Sequence, residues 1–151
     1  MGLFSNGFDE PTTTLPDKKI YEAISDFEQA THGLASLSIN TREDMERIFS
    51  SNTLRTTFQF RLVLASQYLK GYTFNIMDFG YNIDLYPVVL RVQPDIGRQI
   101  GLSQTLIDAC EVRVATESEL DRIFAAIVTS DKFKATVGGV MKLARENAAK
   151  V

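Results

Sequence analysis

Residues 72–92, YTFNIMDFGYNIDLYPVVLRV, hold two extended runs around a cluster with turn chemistry. Tyr72, Phe74 and Ile76 alternate with Thr73, Asn75 and Met77, the period of two that marks a half-buried strand. Asp78-Phe79-Gly80-Tyr81-Asn82 carries the residue types of a turn. Beyond it Ile83 and Leu85 alternate with Asn82, Asp84 and Tyr86. The phase then slips, so that Val88, Leu90 and Val92 take the apolar side and Val89 and Arg91 the other. A slip of one residue turns every side chain to the opposite face. The spacing therefore predicts a bulge or bend at Tyr86-Pro87, where proline withdraws a ladder donor.

The flanking segments supply further elements. Residues 1–16 contain glycine, proline and threonine without a sustained period and read as a flexible arm, leaving residues 17–151 as a single domain. Leu3, Phe4 and Phe8 are apolar candidates on that arm, expected to dock on the chain's own surface or to serve as a short linear motif for a partner. A helix opens at Asp17, with Ile20, Ile24, Phe27, Ala30 and Thr31 on one stripe and Gly33 ending it. His32 falls in its last turn as a surface or capping residue. Ala35, Leu37 and Ile39 alternate as a short strand, and Asn40 with Glu43 forms a capping box for a helix presenting Met45, Ile48 and Phe49. Leu54 to Ala65 fits both strand and helix; the β-branched and aromatic content decides for strand.

Residues 93–108 read as a long, adaptable loop with one helical turn around Leu102 to Ile107. Gly97 and Arg98 in this loop could approach an anion. Cys110 to Ala115 is a final strand with Cys110, Val112 and Val114 on one side, so Cys110 is expected as a buried small hydrophobe. Thr116 and Glu119 make a capping box for a helix bearing Leu120, Ile123, Phe124, Ile127 and Val128. Ser130 caps the last helix, whose apolar face is Phe133, Val137, Val140, Met141 and Ala144; Gly138-Gly139 in its middle is expected to permit close packing or a kink. The whole predicts an α+β chain: an antiparallel sheet of four to five strands, with helices at both ends packed on one face.

Composition narrows the function. The 151 residues fit one domain with a sizeable core, and 44% hydrophobic against 23% charged residues is the ordinary globular range. A net charge of −3 and a pI near 5.2 disfavour nucleic acid as the main partner. One cysteine suits a reducing, cytoplasmic compartment, and one histidine makes a zinc site or histidine triad hard to assemble. No apolar run is long enough to span a membrane. Met1-Gly2-Leu3-Phe4-Ser5-Asn6 approximates a myristoylation signal, but Asn6 stands where serine or threonine is required.

Motifs for chemistry are absent: there is no P-loop, no paired-glycine dinucleotide fingerprint and no nucleophile elbow. Asp78-Phe79-Gly80 spells the metal-binding triplet of protein kinases, but the chain lacks their glycine-rich and catalytic loops and is far too short. No catalytic residue, metal ligand or cofactor is therefore assigned. One pattern remains. Gln59, Arg61, Asn75, Arg91 and Arg113 are polar residues embedded in predicted strands, and on one face they would make it polar and arginine-bearing. Such a face would be open to solvent, or would take an acidic partner or an anionic ligand. The candidate binding residues are thus Arg61, Arg91, Arg98 and Arg113, with Leu3, Phe4 and Phe8 on the arm. They favour a non-enzymatic protein-interaction or regulatory module: an adaptor, an inhibitor or immunity-type protein, or a bacterial or phage accessory factor. The alternative is a sensor of a small anionic metabolite or nucleotide; a carboxylate-based enzyme ranks last. Homodimerisation through a strand edge or the last helix is compatible with this reading.

Overall fold

The computed structural model describes residues 2–5, 7–42 and 55–150. A five-stranded antiparallel sheet is formed by β1 (Ser36–Thr41), β2 (Phe58–Ala65), β3 (Thr73–Tyr81), β4 (Val88–Val92) and β5 (Cys110–Val114), in the spatial order of the chain. Short helices α1 (Pro16–Ala23) and α2 (Phe27–Ala30) precede it. Helix α3 (Pro94–Gln99) lies between β4 and β5, and α4 (Glu117–Thr129) and α5 (Asp131–Ala149) follow. The architecture is the expected α+β class.

One sheet face makes the core. Leu62 and Leu64 of β2, Met77 and Phe79 of β3, Val88, Leu90 and Val92 of β4, and Val114 of β5 are buried against Ile20, Leu120, Ile127, Phe133 and Val140 from the helices. Period-two alternation sends these strand residues to one side, and the 3.6-residue stripes of α4 and α5 meet them there. Thr116 Oγ1 accepts from Glu119 N at 3.2 Å and Ser130 Oγ from Phe133 N at 3.2 Å, so both expected caps are made.

The central segment differs from the expectation. Asp78, Phe79 and Gly80 are not a turn: β3 runs through all three to Tyr81. The chain reverses at residues 82–87, where Asn82 Oδ1 accepts from Thr57 N at 2.8 Å and Leu85, at φ 71°, donates to Asn82 O at 2.8 Å. Of the bulge or bend expected at Tyr86-Pro87, the bend is made: the chain bends at Pro87, the bond is cis and it belongs to the loop, with no bulge in the ladder there. The ladder irregularity lies in β3, where Leu62 pairs with Met77 and Val63 with Asn75, leaving Ile76 as the extra residue. Gly80 is selected for size. An added Cβ would stand 2.1 Å from Thr56 Oγ1 and 2.7 Å from Phe58 O.

Other expectations shift locally. The first helix is broken into α1 and α2 at Ile24–Asp26, and His32 is exposed at φ 56° beyond the helix end. Asn40 lies within β1, and the helix expected after it falls outside the described residues. The helical turn of the 93–108 connection is α3 at its start, because Pro94 begins a helix capped by Gln93 Oε1, which accepts from Ile96 N at 2.9 Å. Gly138 and Gly139 do not pack closely: open space lies beside both, and α5 runs through them without a break.

Tyr81 ties the layers together, and with Tyr86 it sets an alkaline limit on the fold. Tyr81 donates to Asp17 Oδ1 at 2.6 Å, joining β3 to α1. Burial, then the Asp17 contact, pushes its hydroxyl above the ordinary tyrosine pKa; burial, with Glu117 and Asp121 adding, pushes Tyr86 up to about 12. Above roughly pH 10 the unfolded chain therefore releases phenolic protons that the folded chain keeps, so stability is full below that pH and falls as pH rises. Thermal unfolding at constant ionic strength should show a decline in Tm that steepens above about pH 9.5. That decline should be shallower in Tyr86→Phe and Tyr81→Phe, and identical alkaline limbs in all three proteins would remove the assignment.

Candidate functional site

The face opposite the helices carries the polar strand residues. Register alone lines up Asn40, Arg61, Asp78, Arg91 and Glu111 across all five strands. Directly opposed residues of antiparallel strands share a face and lie close enough to interact. The row therefore alternates in charge, and its members pair. Arg61 Nε lies 2.8 Å from Asp78 Oδ1, and Arg91 Nε 2.8 Å from Glu111 Oε1. Arg42, one residue past β1, adds a contact from Nη1 to Asp78 Oδ2 at 3.2 Å. A second row runs Gln59, Gly80, Val89 and Arg113.

The five polar residues singled out from the sequence do share this face, but it is not an open one. The side chains of Asp78 and Arg91 are each 13% exposed and that of Arg42 8%, while Arg61 reaches 37%. Cross-strand pairing lays the guanidiniums along the sheet instead of out into water. Asn75 and Arg113 are exposed.

A cavity of about 280 Å³ opens on this face, lined by Arg42, Arg61, Asn75, Asp78, Arg91 and Asp108 among others. Its shape follows from the local chain. The extra residue at Ile76 turns Asn75 out beside Val63, and the 93–109 connection brings Asp108 back to the strand ends. Arg91 Nη1 is buried, and no protein acceptor reaches it.

The remaining candidates lie elsewhere. Arg98 is on α3, where it binds Asp95 and Gln104 at the surface. Gly97 is not available to an anion: its added Cβ would stand 2.5 Å from Cys110 Sγ, so it is the contact by which α3 seats on β5. Cys110 is fully buried, and burial pushes its thiol pKa up, as befits a packing residue. Arg113 does not line the cavity and forms no ion pair among the described residues. The arm is held to the body at Thr14, whose N donates to Glu117 Oε1 at 2.7 Å. Ahead of that point Leu3, Phe4 and Phe8 are 95%, 72% and 80% exposed, so the expected docking on the chain's own surface is not made. Phe4 and Phe8 instead tilt against each other with ring centroids 5.6 Å apart.

No protein-family model, curated protein or solved structure matches the chain. Its site therefore rests on geometry.

Three residues of the cavity escaped the sequence reading. Arg42 continues the Ser36, Ser38, Asn40 alternation and could have been placed on the polar face by counting two residues further. Asp78 was absorbed into a turn, and Asp108 into a loop. Among the described residues no three histidine, cysteine or acidic side chains converge as metal ligands would, and no helix is long and apolar enough to cross a membrane.

Proposed function

We propose that this protein is a non-enzymatic interaction module that acts by binding another protein through its N-terminal arm. The observation that carries this reading is the undocked state of Leu3, Phe4 and Phe8, three large apolar side chains almost wholly in water within six residues of one another. Full burial of each against a partner would contribute about 1.5–3 kcal/mol, enough for the small cluster to anchor an interface. The Phe4–Phe8 ring contact and the turn bonds Ser5 N to Gly2 O and Gly7 N to Phe4 O give the cluster a defined local shape. The acidic side chains lining the cavity support a non-catalytic role. Both oxygens of Asp78 are taken up by Arg42 and Arg61, which leaves Asp108 without a second free carboxylate beside it among the described lining residues. A buried single thiol suits a reducing, cytoplasmic setting.

The test is recovery from a lysate of the native host by tagged wild-type chain and by the Leu3→Ala/Phe4→Ala/Phe8→Ala variant. The expected result is a stoichiometric protein partner on the wild type, absent from the variant, with the two forms equal in Tm because these three side chains contribute nothing to the core. Light scattering at the same concentrations separates a second copy of the chain from a different protein. Identical recoveries by both forms would overturn the proposal.

A further inference from the structure

We infer that the cavity on the polar face of the sheet binds a small oxyanion, the phosphate or carboxylate group of a compact molecule, with Arg91 and Asn75 as its donors. This site is separate from the arm.

Arg91 carries the inference. Its Nε edge is committed to Glu111 at 2.8 Å, while Nη1 is buried with no protein acceptor. A guanidinium N–H removed from water without a partner is unfavourable, and native structures retain such groups where something else satisfies them. A terminal guanidinium N–H left over in this way can donate to an oxyanion oxygen. Asn75 stands on the same wall, and its exposed amide makes no hydrogen bond among the described residues. It lies one residue from the extra residue of β3, and bulges of this kind commonly re-aim side chains beside binding sites. Arg42 and Arg61 hold Asp78 between them, so that its carboxylate is occupied rather than left to repel an incoming anion. Size limits the ligand: about 280 Å³ lies just under the roughly 300–1,000 Å³ usual for drug-sized ligands, which suits a compact molecule.

The test is calorimetric titration with inorganic phosphate and, separately, acetate, with ionic strength held constant by sodium chloride. Wild type is compared with Asn75→Asp and Asp108→Asn, both at exposed positions where folding is undisturbed. At least one probe is expected to bind the wild type, and which one does so assigns the phosphate or carboxylate source. Asp108→Asn should bind it about threefold more tightly, since a like charge leaves a partly solvated rim, and Asn75→Asp at least about tenfold more weakly. The Leu3→Ala/Phe4→Ala/Phe8→Ala protein should bind the probe as wild type does, which separates this site from the arm. Absence of binding by both probes at tens of millimolar, or equal affinities in wild type, Asn75→Asp and Asp108→Asn, would overturn the inference.

Discussion

Asp78→Ala is expected to destabilise the protein by about 3–5 kcal/mol, the range found when one partner of a buried ion pair is removed. The reason is what the substitution leaves behind. Asp78 accepts from Arg61 at 2.8 and 3.3 Å and from Arg42 at 3.2 Å, and the Arg42 side chain is only 8% exposed. Alanine would strip a shared carboxylate from two guanidiniums in the middle of a sheet. For a chain of this size the loss corresponds to a fall in Tm of roughly 10 °C or more. Arg61→Ala should be milder, because that side chain is 37% exposed and its removal leaves Asp78 still bonded to Arg42. The Arg61→Ala/Asp78→Ala double variant should fall short of the sum of the singles by more than about 1 kcal/mol, since neighbours in one ion-pair network couple. Chemical denaturation of the four proteins reads this directly. A cost below 1 kcal/mol for Asp78→Ala would mean that the residue behaves as a solvated turn residue, as its sequence context suggested.

Gly80→Ala is expected to cost about 3 kcal/mol through overpacking, near the upper end for a small-to-large change. The added Cβ meets Thr56 Oγ1 at 2.1 Å and Phe58 O at 2.7 Å. The threonine could rotate away by giving up its 3.1 Å bond to Phe58 O, but a backbone carbonyl in a paired strand cannot. Adding Thr56→Ala should therefore restore part of the lost stability and not all of it. Wild-type stability in Gly80→Ala would show that the close approach of β2 and β3 is not required.

Both positions lie where the sequence was least legible, and the cause is physical. Asp, Gly and Asn clusters mark turns because they tolerate unusual backbone and bond to it locally. Asp78 bonds instead across the sheet, and Gly80 serves close approach at an ordinary strand conformation; neither fact has a local signature. The reversal three residues further on, at Asn82 to Pro87, has the same kind of residues, so local chemistry offered two sites and the long-range contacts of Thr56, Thr57 and Arg61 chose between them. Periodicity was read correctly in several elements, though the stripe from Ile20 to Thr31 is broken between α1 and α2 and the alternation of Ile83 and Leu85 lies in a loop. Strand β2 follows the strict alternation of Phe58, Phe60, Leu62 and Leu64, β5 follows Cys110, Val112 and Val114, and α4 and α5 begin at their capping residues.

The candidate site was legible in part for the same reason. Alternation left open whether Gln59, Arg61, Asn75, Arg91 and Arg113 share one face, and the register places them together. Alternation says nothing about which residues pair. The match of Arg61 to Asp78 and Arg91 to Glu111 depends on strand register, and the inclusion of Asp108 depends on the path of a connection with no regular period. Arg113 is displaced from the cavity by two residues along β5, a distance set by register alone. For the arm the sequence left two outcomes open, docking on the chain's own surface or a linear motif for a partner. Apolar side chains near a chain end usually find a surface of their own, and Leu3, Phe4 and Phe8 do not.

That exposed cluster is the central claim of the account, and photo-crosslinking in the native host tests it most directly. Phe4→p-benzoylphenylalanine and Phe8→p-benzoylphenylalanine should each give one dominant adduct with the same protein on irradiation. The same substitution at Leu143, which is 59% exposed on α5, should give none. Adducts from positions 4 and 8 to a common partner would place that partner on the arm. No adduct from either arm position, or the same pattern from Leu143, would contradict the account.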